Sequence, residues 1–117
     1  MRKLLLLVVA AVALAQRAFP PPGMRCPERT LVIFDVVMEN AGKADAVYDE
    51  HIAFLRTHMK SGAIVSGGPT TDGHGVILFS GAKWAEIEEL LKKEPFARDG
   101  VMKVAGHHVW RACEVEK

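Results

Sequence analysis

The sequence is poor in cysteine, in aromatics and in charge of one sign. Its two cysteines, Cys26 and Cys113, stand too far apart to form a CxxC redox or zinc motif. No HxxxH and no Met-rich repeat accompany the five histidines and five methionines, so neither a metal nor another cofactor is expected. The 15 basic residues nearly balance the 14 acidic ones without clustering, which argues against nucleic acid as a partner, because phosphate binding needs concentrated positive charge. No glycine fingerprint for phosphate is present, nor a Ser or Cys set beside a base for nucleophilic catalysis. No apolar run reaches the roughly 20 residues of a membrane-spanning helix, and no internal repeat is visible.

The longest apolar run, Leu4 to Leu14, has a basic head in Met1-Arg2-Lys3 and ends in the small-x-small sequence Ala13-Leu14-Ala15. Those are the parts of a secretory signal peptide. Residues 1–15 are therefore expected to be cleaved after Ala15, leaving a periplasmic or secreted protein with no stable membrane span; an N-terminal membrane anchor is the alternative. Residues 16–27 contain Phe19-Pro20-Pro21-Pro22-Gly23, where consecutive prolines set φ and remove amide donors, so this stretch reads as a Pro-rich extended tether. Residues 28–117 are left as the domain.

Thr30 to Met38 is rich in β-branched and aromatic residues on both alternations and predicts a central strand covered on both faces. From Ala44 to Lys60 the period changes. Tyr48, Ile52, Leu55 and Met59 form one stripe beside a second of Val47, His51, Phe54 and His58, the spacing of an amphipathic helix ended by Ser61-Gly62. Ala63–Ser66, closed by Gly67-Gly68-Pro69, and Val76–Phe79 predict a β-hairpin with a long tip. Trp84, Ile87, Leu90 and Leu91 mark a second helix, with Ser80 or Gly81 near its start and Glu94-Pro95 past its end; a last strand runs from about Met102 to Glu114.

The order βαββαβ defines an α+β fold, the ferredoxin-like unit: a four-stranded antiparallel sheet with two helices on one face. The apolar first strand would leave the other face exposed unless a second copy covered it, so a homodimer closing an α/β barrel with a cavity at the junction is expected. In this topology the first strand lies antiparallel to the last. Cys26 shortly precedes the first and Cys113 ends the last, which predicts a disulfide between them; a pair of inert thiols is the alternative.

Three segments also carry a resemblance. Tyr48-Asp49-Glu50-His51-Ile52-Ala53-Phe54-Leu55, then Gly62 to Pro69 followed by Asp72, then Glu94-Pro95-Phe96-Ala97-Arg98-Asp99-Gly100 are similar to the YCII-related family, the match spanning about Leu31 to Trp110. The resemblance implies a dimeric α+β barrel with a His/Asp site carried by His51 and Asp72, and places Ser66, Gly67, Gly68, Pro69 and Phe96 against the substrate. This chain departs from the family pattern at Tyr48, where members often have a basic residue, and at Glu94, where Asp is usual.

An ordinary imidazole, pKa about 6.5, both takes and gives a proton near neutrality, and a carboxylate fixes its tautomer. His51 and Asp72 therefore suit a lyase or isomerase moving a proton on a small-molecule ligand. The alternative is a non-catalytic ligand-binding or accessory domain with a boundary histidine. His58 lies two helical turns from His51, too far for one shared metal. His107 and His108 are consecutive in a strand and must face opposite sides, and Asp35, alone in an apolar strand, needs a partner. The Trp84, Ile87 and Leu91 face reads as core.

Overall fold

A computed structural model describes residues 18–81 and 83–117. The expected leader, residues 1–15, lies outside the described residues. No helix among them is long and apolar enough to cross a membrane.

The chain divides into two units. The larger, Pro27–Ala112, runs β2 (Glu28–Val36), a 3-10 helix (Met38–Lys43), α1 (Ala44–Lys60), β3 (Ile64–Pro69), β4 (His74–Phe79), α2 (Trp84–Leu91), a short α3 (Pro95–Arg98) and β5 (Met102–Arg111). Its sheet has the order β3-β4-β2-β5, antiparallel at every pair. This is the ferredoxin-like α+β fold.

Along β2, Thr30, Val32 and Phe34 are buried, while Leu31, Ile33 and Asp35 between them are only half-buried. The two-sided covering expected from the apolar composition is thus met on one face within a single chain. That face packs Val32, Phe34, Ile77 and Phe79 against Leu55 of α1 and Ile87 and Leu91 of α2. Each such side chain taken from water contributes about 1.5–3 kcal/mol. The stripe that buries Leu55 brings His51, one turn earlier, to the edge of the same face.

Several boundaries differ from expectation for local reasons. Gly67-Gly68-Pro69 continues β3 instead of closing it; β3 is an edge strand, where a proline's missing N–H costs no ladder bond. The turn falls at Thr70–Gly73, where Gly73 takes φ +90°. Ser80 does not cap α2, because its side chain donates to the Gly62 carbonyl and its amide to the Ala63 carbonyl at 3.0 Å; Lys83 is the N-cap. The last strand stops at Arg111.

The smaller unit joins the segment ending at Cys26 to Cys113–Lys117. In it β1 (Met24–Arg25) pairs antiparallel with β6 (Glu114–Val115), and Cys26 is disulfide-bonded to Cys113. The prolines are not uniformly extended. Met24 N–H donates to the Pro21 carbonyl at 3.1 Å across Pro22-Gly23, with Gly23 at φ +76°, a Pro-Gly turn of the kind that requires a left-handed third residue.

Candidate functional site

A cavity of about 360 Å³ opens between α1 and one end of the sheet, with Tyr48, His51 and Ile52 on the helix side and Phe34, Gly68 and Pro69 on the sheet side. Phe96 of α3 completes the wall. Glycine at 68 keeps this part of the sheet wall free of side chain.

His51 Nδ1 is hydrogen-bonded to Glu94 Oε1. Glu94 is fully buried, and its other oxygen accepts the Ala97 N–H at 2.8 Å, which makes it the N-cap of α3. Pro95 follows at the first helical position, where its missing N–H is no loss. The same short segment turns Phe96 onto the imidazole, ring centroids 3.8 Å apart and planes within 3°. One carboxylate therefore starts a helix, orients a histidine and sets the ring beneath it. In the tautomer that donates Nδ1–H to the carboxylate, Nε2 is the ring nitrogen left as an acceptor, and a carboxylate at Nδ1 favours a protonated ring.

Asp72 is placed elsewhere. It sits exposed at the hairpin tip, where the Thr70 hydroxyl donates to Oδ1 and His74 Nε2 stands 4.0 Å from Oδ2. The Thr70 hydrogen bond, foremost, holds its carboxyl below the ordinary range. The carboxylate that meets His51 is Glu94, because the hairpin tip turns Asp72 back on its own loop while the Glu94 backbone enters the core between α2 and α3. Of the residues expected against the substrate, Gly68, Pro69 and Phe96 line the cavity. Ser66 and Gly67 lie instead beside Leu31, Leu78 and Trp110, in a shallow depression of the sheet. The lone Asp35 finds its partner in His74, Nδ1 to Oδ1 2.9 Å. His107 stacks on Trp84, centroids 3.6 Å apart. Among the described residues no group of three or more His, Cys, Asp or Glu is arranged to hold a metal ion.

Glu94 was within reach of sequence reasoning: an acid directly before a proline, just past a helical stretch, is an N-cap signal. Its second partner, 43 positions away, was not.

The larger unit is therefore a ferredoxin-like α+β domain with a cavity in which a histidine of the first helix is bonded to a buried acid. The YCII-related domain family matches residues 30–110, and the chain belongs to that family. No curated protein matches. A similar solved structure is 5-chloro-2-hydroxyhydroquinone dehydrochlorinase from Burkholderia phenoliruptrix AC1100, in complex with 2,5-dihydroxybenzoquinone; identity is 21%, the TM-score 0.54, and the match covers 76% of this chain and 93% of that one. At that identity the likeness establishes the fold.

Proposed function

We propose that this chain is a small-molecule lyase or isomerase in which His51 carries the proton and Glu94 holds and charges the ring. The observation that bears the most weight is the fully buried Glu94 carboxylate on Nδ1 of a histidine that lines an apolar cavity. Elimination of HX and a proton shift between two carbons share one requirement, a group that takes a proton from the substrate; in the elimination that proton is released along with X, and in the shift it is delivered to the second carbon. The dehydrochlorinase with the same fold is named for a reaction of the first kind, and the 2,5-dihydroxybenzoquinone bound to it is a single ring. The role expected of Asp72 passes to Glu94.

The test is an assay of the purified chain on chlorinated hydroquinones, reading chloride release and solvent deuterium uptake. His51→Ala should abolish turnover with the circular dichroism unchanged. Undiminished turnover in that variant would overturn the reading.

Two further parts belong to this proposal. A second copy covers the helix-free sheet face, where Leu31, Ile33, Val76 and Leu78 are half-buried and Trp110 is 48% exposed. Sedimentation at micromolar concentration should give twice the chain mass, and a monomer would remove the barrel. The domain is also exported, a reading supported by the leader of residues 1–15 and by the Cys26–Cys113 bond, since disulfides persist in oxidising compartments. The mature protein should begin at Gln16 on N-terminal sequencing; a cytoplasmic chain beginning at Met1 would overturn it.

A further inference from the structure

Among the described residues the cavity beside His51 has no lysine or arginine on its wall, and we infer that it selects uncharged, flat rings and rejects carboxylates and phosphates, with the lack of a basic group at Tyr48 setting this preference. The inference rests on the function proposed above and names the substrate class for the same cavity.

Three observations carry it. The first is what the wall is made of. Phe34, Ile52, Leu55, Phe96 and Val101 are apolar, and the imidazoles that join them and the Tyr48 phenol are those of His51 and His74. Both imidazoles are already committed to carboxylates, His51 to Glu94 and His74 to Asp35, with Asp72 4.0 Å from the second nitrogen of His74. An anion entering here would lose its hydration, meet a wall flanked by three acids, and find no cation of its own.

The second observation is the fate of the nearby cations. Arg98 follows Phe96 by two residues, yet its guanidinium is held by Asp99 at 2.8 Å and by Glu50 at 3.3 Å. Lys43 precedes the wall residue Ala44 but is exposed at the surface.

The third is shape. The ring centroids of Tyr48 and Phe96 are 6.5 Å apart, and Phe96 stacks on His51, so three rings follow one another from the mouth inward. Aromatic faces in this arrangement favour a flat partner over a branched one. A volume of about 360 Å³ lies at the small end of ligand pockets, which suits one ring with its substituents. Tyr48 lines the cavity and is 53% exposed, so it offers a hydroxyl at the mouth where a guanidinium would pair with an anion.

Benzamide and benzoate have nearly the same shape and differ in charge, which makes them the probes. Each is titrated into the full chain at neutral pH and followed by amide chemical shifts. Benzamide should bind at least about tenfold more tightly than benzoate, and Tyr48→Arg should shift that ratio toward benzoate by about tenfold or more. Tyr48→Phe should leave the ratio in place. Benzoate binding as tightly as benzamide to the unmodified chain, or neither probe binding at millimolar concentration, would overturn the inference. A ratio unmoved by Tyr48→Arg, in a variant with unchanged circular dichroism, would overturn the assignment to Tyr48. Selectivity for benzamide without any His51-dependent turnover would end the catalytic reading alone, whereas His51-dependent turnover of benzoates would end the selectivity alone.

Discussion

Thr70 and Asp72 show how a hairpin tip is tuned by a single hydroxyl. Thr70 Oγ1 accepts the His74 amide at 2.9 Å while its own proton goes to Asp72. This donation is the main reason the Asp72 carboxyl is held below the ordinary carboxylate range. A carboxyl whose folded pKa is depressed adds stability above its unfolded pKa, and that stability is lost as pH falls through the folded value. The window therefore lies at acid pH, below about 4. In Thr70→Val the Asp72 carbon resonance should titrate at a higher pH than in the parent chain, nearer the ordinary value. An unchanged titration would show that the hydroxyl is not the cause. At this exposure the effect on global stability is small.

At the scale of elements, α3 is only four residues long and does not persist on helical propensity alone, since isolated helices need about 12–15 residues to be marginally stable. What holds it is its N-cap, the pairing of that cap with His51, the salt bridges from Arg98, and the packing of Phe96 against the core cluster. Glu94→Ala removes the cap and leaves His51 without its buried partner. Loss of a cap costs about 1 kcal/mol and an unmet buried polar group about 1–3 kcal/mol, so a destabilisation of about 2–4 kcal/mol is expected in urea denaturation. Glu94→Gln keeps an acceptor for the Ala97 amide and should cost less than half as much. Equal losses in the two variants would mean that the cap, the His51 bond and their geometry are not what hold α3.

At the scale of the whole molecule, the Cys26–Cys113 bond closes a loop with a sequence separation of 87 that contains the entire larger unit. Restricting the unfolded chain over such a loop stabilises the fold by up to about 4–5 kcal/mol in the chain-entropy account. Denatured, unreduced protein should therefore titrate with no free thiol, and reduction should lower the urea midpoint without altering the cavity. Two thiols per chain would remove this contribution. The ladder of β1 with β6 adds few bonds of its own, so after reduction these two strands should be the first to lose amide protection.

The elements were legible because spacing and residue type distinguish them. The Tyr48, Ile52, Leu55 and Met59 stripe specifies a helix over Ala44–Lys60, and the β-branched and aromatic run of Thr30 to Met38, apolar on both alternations, specifies a strand. Their order then allows few ways to pair, which is why the ferredoxin-like topology follows from the sequence. His51 was also legible, by its place at the edge of an apolar stripe. Its carboxylate was not. Asp72 and Glu94 both follow the histidine in the chain, and nothing in either local sequence says which one returns to it. That was decided by the direction in which β4 and α2 carry the backbone: the hairpin leaves Asp72 in solvent, and the turn after α2 drives Glu94 into the core, where a carboxylate is retained only because His51 and the Ala97 amide meet it there.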